Sequence, residues 1–387
     1  MRLAIVTQDP TNYGGVLRLV EYLYDRANVI GMEPTILHYA RFAEHPELSV
    51  SLASLLRGEI NVRLQSKAYN FRGRRAIAVG AWLPEWEPNR IRSSRMWEQL
   101  LSNFDRFILV TGSGHNGIPL TKTGKKFAAW VSSSVTADRE ERLRTSRNLR
   151  TVIERIGLRS VLKSEAHVLL KAERILAVSN DARKHLMELT PKTIEVFPFP
   201  VDTDRFYTAM ERVSIPRFLF VGRANDPRKR VQLFLDSFAE LQRRNPELKV
   251  SAVIVSNSYY SSQAIPNVEY RSGLSDEELI ELYRSSTALV LTSEQEGLGI
   301  AAMEAMACGL PVISTRCGGT ETFIEDNISG IFVNDHVSNI AEAMFILSTQ
   351  LHLQQRMGKA ARLRIESQFS ENVWNNRFED FLNTLPE

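Results

Sequence analysis

Two textures alternate along the chain. Short unbroken apolar runs, at 3–7, 107–111, 127–133, 174–178, 218–221, 250–255 and 288–291, read as strands buried on both faces. Longer stretches between them carry apolar residues at helical spacing. Leu19, Val20, Leu23 and Ala27 mark a helix over 16–30, and Leu233, Phe234 and Phe238 mark another. The arginine-rich stretch 139–160 reads as a third. Near the C-terminus, Val373, Trp374, Phe378 and Phe381 give a helix over 370–382 an apolar stripe. Ser179 is placed to cap one helix, and Ser275 with Glu278 has the capping-box spacing of another. Buried strands alternating with amphipathic helices predict an α/β fold with parallel sheets.

The most informative unit is 288–314. Ala288-Leu289-Val290-Leu291 is a buried strand, and a loop with Gly297 and Gly299 follows. A helix then carries Ile300, Met303 and Ala307 on one face, with Gly309 as its C-terminal stop and Pro311 just beyond. In open α/β sheets, ligands bind beyond the C-terminal ends of strands. The amides of Leu298, Gly299 and Ile300 at a helix start suit phosphate. Glycines without Cβ let a ligand approach the backbone. Glu296 and Glu304 frame this loop as acceptors for hydroxyls. Phosphate flanked by hydroxyls describes a nucleotide sugar.

Length and charge narrow the class. At 387 residues the chain fits two domains, and its 43% hydrophobic and 24% charged content is globular. We place the first at 1–198 together with 370–387, and the second at 206–369, joined by the proline-punctuated Phe197-Pro198-Phe199-Pro200. The net charge of +3 and pI near 8.8 point weakly to an anionic partner. Cys308 and Cys317 are the only cysteines, which suits a reducing compartment. No leader pattern and no run of about 18 apolar residues is seen, so we expect a cytoplasmic protein. Residues 63–97 interleave seven arginines with Trp82, Trp86 and Trp97. They read as an irregular insertion, either simply solvated or presenting a basic aromatic face to anionic membrane or a phosphate-bearing acceptor. No nucleic-acid fold signature accompanies them, and nothing in the sequence marks an oligomeric state.

The stretch EGLGIAAMEAMACGLPVIST, with seven residues between Glu296 and Glu304, resembles the signature of the retaining family-4 glycosyltransferases of GT-B fold. The resemblance implies two Rossmann-like domains facing across a cleft, with the last helix returning to the first domain. It implies that Glu296 meets the transferred sugar and Glu304 the nucleotide ribose. The segment Phe218-Leu219-Phe220-Val221-Gly222-Arg223 with Lys229 resembles the family's pair of diphosphate-gripping cations. Arg230 stands at the family's usual glycine, and Arg228 is an alternative to Lys229. Gly14 and Gly15 match a loop lining the diphosphate and acceptor side, His115 is the candidate sugar-contacting histidine, and Gly273 and Leu274 would face the base. The implied reaction is transfer from a nucleoside-diphosphate sugar to a hydroxyl of a glycan or lipid-linked acceptor. It keeps the anomeric configuration and needs no metal or other cofactor.

Rival readings stand beside it. Gly112-Ser113-Gly114-His115-Asn116-Gly117 follows a strand and matches a dinucleotide fingerprint, with Asp138 at the acidic position, so an NAD-dependent oxidoreductase is an alternative. A sugar-nucleotide epimerase on the same fold is another. Asp202-Thr203-Asp204 has the spacing of a metal-binding pair but lies on the linker, where we read a capped turn. Glu321 and Thr322 replace the family's usual Pro-Glu after Gly318-Gly319.

Overall fold

The computed structural model describes residues 1–10, 15–42, 44–58, 63–145, 149–208, 215–258 and 265–386. The chain divides into two compact units: Met1–Pro198 with Asn375–Glu387, and Phe199–Trp374.

The first unit holds β1 (Arg2–Thr7), β2 (Glu33–Tyr39), β3 (Ser66–Phe71), β4 (Arg74–Val79), β5 (Arg106–Thr111), β6 (Ala128–Val131), β7 (Arg174–Ala177) and β8 (Ile194–Val196). Their order is β3-β4-β2-β1-β5-β6-β7-β8, parallel throughout except for the β3–β4 pair. Leu3, Ala4, Ile5 and Val6 are fully buried, as an unbroken apolar run on a two-sided sheet requires. The C-terminal segment closes this core. Phe378 meets Trp130, Phe197 and Tyr22 with ring centroids 5.1, 4.7 and 4.6 Å apart. Trp130 Nε1 donates to the Phe197 carbonyl at 2.9 Å, so the large ring is buried with its polar atom satisfied.

The second unit holds β9 (Arg217–Val221), β10 (Ser251–Val255), β11 (Val268–Arg271), β12 (Ala288–Leu291), β13 (Val312–Thr315) and β14 (Gly330–Val333). They run parallel in the order β11-β10-β9-β12-β13-β14. Numbered within the unit this is 3-2-1-4-5-6, the doubly wound order whose direction reverses between β9 and β12. Phe218 and Phe220 pack against Phe234 and Phe238 of the helix Val231–Arg244, and Met344 lies in the same core. Truncating one such phenylalanine costs about 3–5 kcal/mol.

Three expectations change. Residues 63–97 are not irregular: they form β3, β4 and the start of the helix Arg95–Leu101. Arg72 and Arg74 there pair with Glu21 and Asp25, and Trp97 is fully buried, so part of the expected basic aromatic face is used internally. The stretch read as one helix over 139–160 is two, Val135–Thr145 and Leu149–Lys171. One more strand, β8, pairs beyond β7. In the last helix, Glu371–Asn383, Val373 is exposed and Trp374 belongs to the second unit; Phe378, Phe381 and Leu382 form the buried stripe. Among the described residues, no helix is long and apolar enough to cross a membrane.

Candidate active site

The second unit collects most of the predicted residues where β9 and β12 end. After β12, Thr292 donates its hydroxyl to the carbonyls of Lys229 and Arg230, both at 3.0 Å, tying the two strand ends together. The Glu296 amide donates to Cys317 at 2.8 Å, and the Gly319 amide donates back to the Glu296 carbonyl at 3.0 Å. A Cβ on Gly319 would lie 2.6 Å from Leu298 Cα and 2.7 Å from the Glu296 carbonyl oxygen, so only glycine lets these loops meet. Gly299 caps the helix Ile300–Ala307 with φ +88°, which makes glycine necessary there too. The first bonds of that helix run from Ala302 and Met303 to Gly299, so the amides of Ile300 and Ala301 precede its ladder. Gly309, at φ +75°, and Leu310 return their amides to Met306 and Ala305, a Schellman stop.

Side-chain geometry is concentrated on one pair. Lys229 Nζ donates to both oxygens of Glu296, at 2.5 and 2.6 Å, and Ser293 Oγ donates to Oε1 at 2.6 Å. Lys229 ends a short turn, Pro227–Lys229, capped by Asp226, whose carboxylate accepts from the Arg228 amide. The same carboxylate holds the guanidinium of Arg228 at 2.9 Å and that of Arg223 at 2.7 Å. Burial disfavours its charge, but the hydrogen bonds from Arg228 and the nearby cations outweigh burial and set the Asp226 pKa at about 2. Arg228 is thus bound to Asp226, and Lys229 is the cation on Glu296. Arg230 keeps the left-handed backbone of the glycine it replaces, with φ +47° and ψ +48°. Its guanidinium donates to Thr292 O and pairs with Asp335.

Glu304 lies inside the helix, buried, with the Tyr283 hydroxyl donating to it at 3.2 Å. Tyr283 belongs to the helix Asp276–Arg284, whose Ser275–Glu278 capping box is present as expected. Gly273, at φ +68°, and Leu274 lead into that helix, and the Gly273 amide donates to Asn257. Gly297 and Leu298 lie on the loop between Glu296 and Gly299. Asp202 Oδ1 accepts from the amides of Asp204 and Arg205, the capped turn expected on the linker.

In the first unit, Gly15 opens the helix Gly15–Val29, while Gly14 lies outside the described residues. The glycines of the loop 112–117 are engaged within the unit. The Gly114 amide donates to Glu165, and a Cβ on Gly117 would lie 2.6 Å from Leu109 and 2.7 Å from Val168. These glycines pack closely against β5 and the helix Leu149–Lys171, and the oxidoreductase reading is not favoured. His115 is buried, with Nδ1 on Ser113 and Nε2 3.5 Å from Glu87, which Arg139 grips through two bonds of 2.9 and 2.7 Å. Burial lowers the His115 pKa and the Glu87 carboxylate raises it; burial prevails. Burial also opposes the charge of Glu87, yet the hydrogen bonds from His115 and Arg139 hold it well below the usual range.

Asp226, Ser293, Tyr283 and Glu87 were not singled out from the sequence. Only Asp226 carried a signal, an acidic cap directly before Pro227.

Comparisons with known proteins bear on the family and the fold. Residues 215–350 match the family described as glycosyl transferases group 1. A D-inositol 3-phosphate glycosyltransferase of Frankia alni is 30% identical over 229 residues, covering 52% of this chain and 56% of that protein. One of Kribbella flavida is 28% identical over 229 residues, covering 52% and 54%. The chain thus spans about half the length of the curated relatives it matches. Among solved structures, sucrose-phosphate synthase of Thermosynechococcus elongatus superposes with TM-score 0.77 at 15% identity, covering 99% of this chain and 98% of that one. HepE of Anabaena, solved with UDP and glucose, gives 0.70 at 13% identity with full coverage of both chains. The fold is GT-B.

Proposed function

We propose, from the premise that this is a family-4-like chain carrying a group 1 glycosyltransferase domain on a GT-B fold, that it is a retaining glycosyltransferase. Its donor is a nucleoside-diphosphate sugar, and its acceptor is a hydroxyl of a glycan, polysaccharide or glycolipid. The observation that carries the reading is the Lys229–Glu296 pair at the reversal point between β9 and β12, beside the start of the helix Ile300–Ala307. Departure of the sugar concentrates negative charge on the diphosphate. Lys229, Arg223 and the helix amides are the groups that would stabilise that charge. The ammonium has three donor directions and binds Glu296 and a phosphate oxygen together. Glu296, held by Ser293 and Lys229, would orient the sugar rather than attack it, and buried Glu304 would meet the ribose. Two cations and a helix dipole supply the positive charge, so we propose a reaction that uses no metal.

The test is thermal unfolding against a panel of nucleoside-diphosphate sugars, followed by product analysis. A donor at a hundredfold excess over its Kd adds about 2.7 kcal/mol. That raises the melting point of a domain this size by roughly 5–10 °C. Release of free nucleoside diphosphate, with an axial or equatorial anomeric proton matching the donor's, is the expected product signature. A product still bearing its nucleotide would assign an epimerase, and no stabilisation by any donor would overturn the reading.

A further inference from the structure

The first unit exposes eleven large apolar side chains among its described residues, and seven of them fall in two short segments. One segment is Leu52, Leu55 and Leu56 of the helix Leu52–Leu56, together with Trp82; Leu56 is 79% exposed and Trp82 51%. The other is Val152, Ile153 and Ile156 near the start of the helix Leu149–Lys171, with Ile156 69% exposed. The remaining four, Met1, Val29, Leu170 and Met187, are scattered, which is ordinary for a surface.

The two segments are joined by 82–88. Val50 and Trp82 pair as a β-bridge, and Glu85 accepts from the Leu52 amide at 3.0 Å. At the other end, a Cβ on Gly157 would lie 3.2 Å from Pro88 and 3.6 Å from the Trp86 ring. Pro88 and Trp86 therefore rest on the helix that carries Ile153 and Ile156. Val152, Ile156, Arg159 and Lys163 fall at i, i+4, i+7 and i+11, one outward stripe, while Val161, Glu165 and Val168 face the core. The stripe is apolar at its start and basic beyond, with exposed Arg155 alongside and exposed Arg57 closing the other segment. The one exposed carboxylate of the joining segment, Glu85, is engaged by a backbone amide.

We propose that this face docks the first unit onto a bilayer containing anionic lipid. Exposed apolar side chains gathered in two segments that 82–88 ties together signal a binding surface. Leucine, isoleucine and tryptophan beside arginine and lysine suit the acyl–headgroup boundary, where apolar groups enter and cations meet lipid phosphates. The charge excludes a neutral bilayer as the preferred surface. Of the membrane contact expected at 63–97 this face keeps Trp82, while Arg72, Arg74 and Trp97 are engaged within the unit. It does not depend on the transfer reaction.

Flotation of the full chain with phosphatidylcholine vesicles, with and without added phosphatidylglycerol, tests it. The protein floats with the anionic vesicles and stays behind with the neutral ones. Arg159→Gln lowers the partition about fivefold, and Ile156→Asp or Leu56→Asp lowers it more than tenfold. Val29→Asp, on an exposed valine elsewhere in the unit, leaves it unchanged. All four sites are exposed, so unchanged melting confirms intact folding. Three results would overturn the proposal: no flotation with either vesicle, equal loss with Val29→Asp, or a dimer in light scattering that Ile156→Asp dissolves. The last would assign the face to a second copy of the chain.

Discussion

Removing Lys229, Glu296 or both separates two roles that one pair serves. The side chains are 19% and 10% exposed, and Nζ lies 2.5 Å from Oε1. At an effective dielectric of about 20, their attraction is about 7 kcal/mol. Desolvating both charges takes back several kcal/mol, which leaves a net coupling of about 2–3 kcal/mol. Lys229→Ala leaves the Glu296 carboxylate without its counter-charge, held by the Ser293 hydroxyl, so we expect a loss of about 3 kcal/mol. That lowers the melting point of the second unit by roughly 6–12 °C. Glu296→Ala strands the ammonium and costs a similar amount, about 3 kcal/mol. The double substitution leaves no orphan charge and should cost about as much as either single one. Calorimetry on the four proteins gives the coupling directly. Single effects that add to the double within about 0.5 kcal/mol would refute the pairing in solution. Transfer responds differently, because the lysine serves the phosphate and the glutamate the sugar. All three variants should therefore lose about 10²–10³ in turnover. A Lys229→Ala protein that is destabilised yet turns over normally would confine the lysine to structure and refute its phosphate role.

Three other perturbations test the supports of the site. Burial raises the Glu165 pKa to about 7 against an ordinary 4.5, so its contribution to stability is complete below about 4.5 and lost as pH rises through about 7. Between pH 5 and 8 the first unit should lose about 3 kcal/mol that Glu165→Gln does not lose; parallel melting-point curves for the two proteins would contradict this. Gly319→Ala puts a methyl group on the backbone of Leu298 and Glu296, and we expect a cost of about 1–3 kcal/mol with weakened donor binding, read by thermal shift. At Arg230, both Gly and Ala remove the guanidinium, yet Gly should be more stable by about 1 kcal/mol in urea because only it adopts φ +47° without strain.

The extent to which the site was legible follows from how each residue is held. Gly299, Gly309 and Pro311 announce themselves because a left-handed backbone or a missing amide narrows the choice of residue. The helix Ile300–Ala307, with one glutamate before it and one within it, could therefore be placed from local pattern alone. His115 could not. Its neighbourhood is set by Glu87 and Arg139, which come from separate segments and leave no local mark. The glycines at 112–117 misled for a related reason: a glycine demanded by a neighbouring valine looks the same in sequence as one demanded by a phosphate. Residues 63–97 were read as irregular because arginines dominate an edge hairpin whose partners, Glu21 and Asp25, lie far back in the chain.

Lys229 and Glu296 show where local reading stops. Each was recognisable by itself, one after the strand that opens the second unit and one before a helix, and each pointed to a different part of a donor. They stand 67 residues apart, and nothing between them says that they touch. The strand order does. In a 3-2-1-4 sheet the first and fourth strands are neighbours, so whatever follows β9 meets whatever follows β12 at the reversal of winding. A cation on the first and an acid on the second are then brought to the same end of the sheet, where Lys229 meets Glu296. Two largely buried charges there stabilise each other and stay aimed at one point, where a diphosphate and the sugar it carries would need both.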